Sequence, residues 1–200
     1  MDIKPIETIY NGYRFRSRLE ARWAVFFDAA GIEYQYEPEG FEFKDGTKYL
    51  PDFYIPSWDT YVEIKPITGN VFNEKAFNLA CGLRKNVVLF AGEPFAQHDS
   101  CGTLIRSQYT TSIYTADGLI GFWVYDDAED TGPYTIRRCR NCNAFVISDN
   151  FSPILHFGVE TGNRCWERAG VGDKIIDKAY LAARQARFEH GETPRVGAKA

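Results

Sequence analysis

Tyr49-Leu50-Pro51-Asp52-Phe53-Tyr54-Ile55-Pro56, followed by Tyr61-Val62-Glu63-Ile64-Lys65-Pro66, is the stretch whose reading decides the fold. Each half reads as a short strand. The link Ser57-Trp58-Asp59-Thr60, with Pro56 beside it, suits a turn. Strands joined this closely pair as a hairpin. The start of the first, with Asp52, then lies beside the end of the second, with Glu63 and Lys65. Glu63 and Lys65 are two residues apart and share a face. Two carboxylates and one ammonium thus gather at one end of a sheet, among Val, Ile, Phe and Tyr. Desolvating such charges is costly unless they are partnered, and a divalent cation held by the carboxylates offsets that cost.

On the N-terminal side, Asn11-Gly12 between two short β-prone runs signals a hairpin. Ser17 and Glu20 form a capping box that opens a helix, with Leu19, Trp23, Phe26, Phe27 and Ala30 as its apolar stripe and Gly31 as its stop. A strand follows over Ile32 to Tyr36, Phe41 to Phe43 continues in alternation, and Asp45-Gly46 turns into the central stretch. On the C-terminal side, a second helix is predicted over Val71 to Leu83, with Phe72, Ala76, Leu79 and Leu83 on one face. A doubly buried strand is predicted over Asn86 to Phe90, closed by Ala91 to Pro94. The order helix, three strands, helix, strand predicts a mixed sheet with helices on it, an α/β (α+β) sandwich.

Carboxylates and a lysine at a strand end suit metal-assisted phosphodiester hydrolysis, since hard oxygen ligands hold Mg²⁺. Pro51-Asp52 and then Glu63-Ile64-Lys65 resemble the motif of the PD-(D/E)xK nuclease superfamily. The helix bearing Glu20 and the element order also resemble its restriction-endonuclease-like core, over about the first half of the chain. Tyr-Leu-Pro-Asp-Phe-Tyr and Val-Glu-Ile-Lys-Pro look most like small phage and prophage nucleases related to junction-resolving endonucleases. The resemblance implies a DNA endonuclease dependent on Mg²⁺ or Mn²⁺, acting in DNA processing or recombination. It implies that Asp52, Glu63 and the backbone carbonyl of Ile64 bind metal, that Lys65 is the catalytic lysine, and that Glu20 completes the site or binds a second metal. The capping box explains Glu20 equally without catalysis. Arg14, Arg16, Arg18 and Arg22 are candidate DNA contacts, against a plain solvated basic face. Lys75 and Asn78 of the second helix are further candidates. The alternatives are an inactive nuclease-fold module that binds nucleic acid, or a zinc-containing interaction protein.

Beyond about residue 95 the texture changes, and three segments are expected: a nuclease core over 1–97, a β-rich extension over 98–170, and a helix with a frayed tail over 171–200. Asp117-Gly118 signals a hairpin between Ser112–Tyr114 and Leu119–Tyr125. Asp126 to Asp130 reads as a solvated acidic loop. Cys139 and Cys142 have the spacing of a zinc knuckle; His156 and Cys165 are the expected partners, with His98 and Cys101 as alternatives. Reduced, structurally idle thiols are the competing reading. Arg137, Arg138 and Arg140 surround the knuckle and could grip a nucleic-acid backbone. The last helix is expected over Lys174 to Glu189, with Ile175, Ala179, Ala182 and Ala186 along one side. A net charge of −4 gives no global pull toward nucleic acid, yet a local basic face can still bind phosphate. No run reaches the ~20 apolar residues of a membrane helix, and the N-terminus lacks the apolar stretch of a signal peptide. The chain is therefore read as soluble and cytoplasmic, in a bacterial host cell if phage-encoded. Cutting both strands of a duplex calls for two sites and so suits a homodimer.

Overall fold

A computed structural model describes residues 6–67, 72–98, 104–115, 117–120, 134–139, 142–148, 153–157 and 173–188. Among them the protein is mixed α/β, with three α-helices and several sheets. The strands β1 (Thr8–Tyr10) and β2 (Tyr13–Phe15) pair around Asn11 and Gly12, both at positive φ as a tight hairpin turn requires. Helix α1 (Arg18–Ala30) opens on Ser17, whose hydroxyl accepts from the Glu20 N–H, and stops at Gly31 in the left-handed region.

Three further short strands follow: β3 (Gln35–Tyr36), β4 (Phe41–Glu42) and β5 (Lys48–Tyr49). Then come β6 (Phe53–Ile55), β7 (Thr60–Lys65), α2 (Glu74–Leu83), β8 (Asn86–His98), β9 (Leu104–Thr115) and β10 (Gly118–Ile120). Six of these form one sheet in the order β10-β9-β8-β7-β6-β3, in which β7 and β8 run parallel and the other neighbours antiparallel. Helix α1 and the last helix, α3 (Lys174–Gln185), cover one face, and α2 covers the other. Strand β8 is buried on both sides, as its apolar run predicts: Val88 and Phe90 meet α1, while Val87, Leu89 and Ala91 meet α2. Trp23 stacks on Phe90 with ring centroids 4.5 Å apart, at the centre of an aromatic core.

Several expectations are corrected. The Tyr49–Pro56 run is two strands, because Pro51 has no N–H to donate to a ladder. β5 pairs with β4 in a separate ribbon, and β6 alone joins the main sheet. Phe41–Phe43 therefore does not continue β3. Helix α2 starts at Glu74, capped by Asn73; its buried face is Ala76, Leu79 and Ala80, and Phe72 and Leu83 are exposed. Strand β8 does not close at Gly92 but runs on to His98 through a bulge. The β9–β10 turn lies one residue earlier than expected, since Thr115 pairs with Gly118. In α3 Ala179 is buried as expected and so is Ala186 at its end, but Ile176, Tyr180 and Ala183 complete the buried face and Ile175 is exposed.

The sheet also runs straight across the 97/98 boundary, through the β8–β9 pair. Beyond it, β11 (Thr135–Arg138), β12 (Phe145–Ser148) and β13 (Pro153–His156) form a three-stranded antiparallel sheet. Its Ile136, Ile147 and the adjacent Phe157 belong to the same buried cluster as Trp23 and Phe53. Tyr109 and Tyr180 hydrogen-bond through their hydroxyls, and Tyr109 also accepts from the Ile136 N–H at 3.1 Å. The acidic loop Asp126–Asp130 and the C-terminal tail lie outside the described residues. No helix is long and apolar enough to cross a membrane among the described residues.

Candidate functional site

The β6–β7 register, Phe53 opposite Val62 and Ile55 opposite Thr60, carries Asp52 to the side of Glu63. Alternation then sorts the two faces. Phe53, Ile55, Val62 and Ile64 point into the α1 side of the core. Tyr54 and Tyr61 lie on the α2 side, so Asp52, Glu63 and Lys65 share that second face by their spacing. There they line a cleft of about 1000 Å³. Its walls bring Phe41 and Glu42 of β4, Lys48 and Tyr49 of β5, and Asn73 and Lys75 from the start of α2, with Arg16 and Glu37 beside them.

Both acids are buried at the cleft floor, Asp52 at 5% and Glu63 at 3% exposure, while Lys65 is exposed. Asp52 Oδ2 accepts the backbone N–H of Ile64 at 2.7 Å, which pins its carboxylate across the hairpin. Glu63 Oε2 accepts the hydroxyl of buried Tyr49 at 3.0 Å, and Glu63 Oε1 is ion-paired with Lys65. Burial, and then the negative charges of Glu63 and Glu20, push the Asp52 carboxyl well above the usual range, against the opposing pull of Lys65 and the Ile64 N–H. Partial desolvation beside the cleft floor acts to discharge Lys65, but the Glu63 and Asp52 carboxylates outweigh it and raise its pKa. The ammonium therefore stays charged. The cleft floor thus presents two carboxylates as hard oxygen donors with the Lys65 ammonium beside them, and Arg16, Lys48 and Lys75 add positive charge along its walls.

Glu20 is also buried, at 7% exposure, but it is not part of the cleft lining. Its Oε2 accepts the Tyr36 hydroxyl at 2.7 Å and the Arg16 N–H at 3.2 Å, and its Oε1 accepts the Ser17 hydroxyl at 2.7 Å. Its carboxylate thus closes the helix entry while its charge still acts on Asp52 and Lys65. Of the four arginines, only Arg16 reaches the cleft, ion-paired with Glu37. Arg14 pairs with Glu7, and Arg22 binds Glu93 at 2.8 Å in a different depression. Arg18 is half-buried and does not line the cleft. Lys75 lines it, as expected; Asn78 does not. Lys48 and Tyr49 are the functional candidates that sequence reasoning missed. Both lie on β5, and the paired β4–β5 ribbon is what carries them to the cleft; the aromatic Tyr49 read only as strand.

The knuckle residues assemble separately. Cys139, Cys142 and His156 place one ligand atom each within 4.8 Å of the others and could hold a metal such as zinc. Among the described residues this is the one group of three potential ligands drawn so close, so Glu20, Asp52 and Glu63 are spread more widely. Cys165 and Cys101 lie outside the described residues, and His98 is at the far end of β8. Arg137 is buried and Arg138 covers the Phe145 ring at 4.6 Å, so these two do not form an open basic face; Arg140 lies outside the described residues. No family model, curated protein or solved structure matches the chain.

Proposed function

We propose that this protein is a metal-dependent DNA endonuclease of the PD-(D/E)xK kind, with a restriction-endonuclease-like core built from α1, the β3-β6-β7-β8 part of the sheet and α2. The observation that carries the reading is the meeting of Asp52, Glu63 and Lys65 on one face of the β6–β7 hairpin, at the floor of a cleft edged by Arg16, Lys48 and Lys75. The residues fit a hard divalent cation. Two buried carboxylates stand together, burial and mutual repulsion hold Asp52 toward its neutral form, and a bound cation removes that repulsion.

Asp52 and Glu63, with the Ile64 carbonyl, would hold Mg²⁺ or Mn²⁺. Such a cation, when bound, supplies a water of lowered pKa and neutralises charge building on phosphorus. The chain's own groups do the rest. The Ile64 N–H and the Tyr49 hydroxyl fix the two carboxylates. Lys65 keeps its proton beside them and donates to a phosphoryl oxygen as negative charge develops there. Arg16, Lys48 and Lys75 take flanking phosphates. Glu20 acts from behind Asp52, as the cap of α1 and a source of negative potential. The proposed setting is phage or prophage DNA processing or recombination, in a homodimer where two strands are cut.

The test is cleavage of branched, single-stranded and linear duplex DNA by the purified chain with Mg²⁺ or Mn²⁺. Wild type is expected to cut at least one of these. Glu63→Ala and Lys65→Ala should lose roughly 100-fold or more, the usual scale for removing a charge-stabilising group. A wild type that cuts none of them, or variants that cut as well as wild type, overturns the reading.

A further inference from the structure

We propose that Cys139, Cys142 and His156 form a structural zinc site that braces the corner of the β6–β7 hairpin through Trp58. Two thiols and an imidazole are the soft and borderline donors that select zinc over hard cations. Cys142 Sγ lies 3.2 Å from His156 Nε2. Tetrahedral zinc, with bonds of about 2.3 Å to sulfur and about 2.0 Å to nitrogen, needs neighbouring ligand atoms about 3.5 Å apart. The turn that presents the thiols is already shaped for this. The Cys139 N–H donates to the Ala144 carbonyl at 2.8 Å, the Asn143 N–H donates back to the Cys139 carbonyl at 2.9 Å, and Asn143 takes a left-handed φ of 62°. His156 ends β13, opposite Val146 of β12, so one ion would tie the β11–β12 turn to the third strand. Nε2 is the ring nitrogen that faces the Cys142 thiol, so it is the ligating atom, and the other ring nitrogen, Nδ1, buried without a protein partner, would carry the ring proton. Three protein ligands leave one position for water or a fourth donor.

The brace follows from the next residue. The Phe157 ring stacks on Trp58 at 4.1 Å and 9°, and the Phe145 ring meets the same indole at 5.8 Å. The Phe157 N–H donates to the Phe145 carbonyl at 3.0 Å, so β12 and the end of β13 present both rings together. Trp58 sits in the 3₁₀ turn Pro56–Trp58 that joins β6 to β7, and its carbonyl accepts the hydroxyl of buried Thr60 at 2.8 Å. Releasing His156 frees Phe157, and with it the wall against which the hairpin corner is packed. This bears on the proposed nuclease reading only in that the same hairpin carries Asp52 and Glu63.

The test uses the full chain purified without chelator, and no DNA. Atomic emission should find about one zinc per chain, and a trace only in Cys142→Ser and His156→Ala. Stripping zinc from wild type should lower Tm and shift the Trp58 emission to the red, read as the difference between wild type and Trp58→Phe because the chain has four tryptophans. Adding zinc back should reverse both. If the variants do not fold, cobalt reconstitution of wild type takes their place, and a thiolate-to-cobalt charge-transfer band is the expected result. Zinc at trace level in wild type, or the absence of that band, overturns the site. Zinc bound but with Trp58 emission indifferent to its removal overturns the brace. A protein that binds zinc and cuts no DNA retains this inference and loses the nuclease reading.

Discussion

Gly92→Ala is expected to cost the fold several kcal/mol and to disturb the end of β7. Gly92 has a φ of 116°, in a region L side chains rarely adopt, and a Cβ there would lie 2.2 Å from the Gln108 carbonyl oxygen and 2.9 Å from the Ile67 side chain. The conformational strain alone is about 1–3 kcal/mol. The overlap with backbone forces β8 and β9 apart at the bulge, a further cost of about 1–3 kcal/mol by overpacking. The Gly92 carbonyl also accepts the Trp23 indole N–H at 2.9 Å, and a shifted backbone strains that bond, worth about 1 kcal/mol. The sum, about 3–7 kcal/mol, is a large share of the 5–15 kcal/mol typical of a whole protein. With a urea slope of about 2 kcal/mol/M, the unfolding midpoint should fall by roughly 1.5–3.5 M. Gly82→Ala is the control. Gly82 is exposed in α2, and a Cβ there would meet nothing within 4 Å, so alanine should stabilise by about 0.5–1 kcal/mol. A Gly92→Ala midpoint within ~0.5 M of wild type would refute the bulge geometry and the close approach of Ile67, just past the end of β7, to Gly92.

Two further outcomes separate the roles of the acids. Glu20→Gln should destabilise by about 2 kcal/mol, because a carboxylate accepting from Tyr36, Arg16 and Ser17 becomes an amide that can accept at one end only. Cleavage should fall less than in Glu63→Ala; an equal fall with stability unchanged would make Glu20 a metal ligand rather than a cap. The raised pKa of Asp52 sets a pH dependence. The native state binds that proton more tightly than the unfolded chain, so the Asp52 contribution to metal-free stability is fully present below the ordinary aspartate range and is lost as pH rises through the raised titration. Mg²⁺ should therefore raise Tm more at mildly alkaline than at mildly acid pH, and Asp52→Asn should abolish the difference. An Mg²⁺ effect that is equal at both pH values contradicts this assignment.

Much of the site was legible because it depends on local periodicity. The hairpin pairing, the common side of Glu63 and Lys65 and the cap at Ser17 follow from spacing and turn chemistry. The helical stripes were less secure. In α2 Ala76 and Leu79 are buried as predicted, but Leu83 is exposed and Phe72 precedes the helix. In α3, where alanines left the apolar arc ambiguous, the buried face turns toward Ile176, Tyr180 and Ala183 and leaves Ile175 on the solvent side. Long-range partners were not legible at all. Tyr49 meets Glu63 only because Pro51 ends one strand and lets β5 pair with β4. Tyr36 reaches Glu20 across 16 residues, and Trp58 meets Phe157 across about a hundred. Such contacts depend on where separate elements dock, which no local pattern encodes. The run of β8 past Gly92 was missed for the opposite reason: glycine and proline signal a stop, and here a bulge absorbs them.

The most direct test of the central claim is Lys65→Ala, read two ways on one preparation. Calorimetric titration with Mn²⁺ should show that the variant still binds the ion, because the Asp52 and Glu63 carboxylates remain and Glu63 loses a competing cation. Cleavage of the DNA that wild type cuts best should fall roughly 100-fold or more. Binding retained with cleavage lost is the predicted result. Cleavage at the wild-type rate, or loss of Mn²⁺ binding together with cleavage, would contradict a site in which the two carboxylates hold the metal and the lysine serves the reaction.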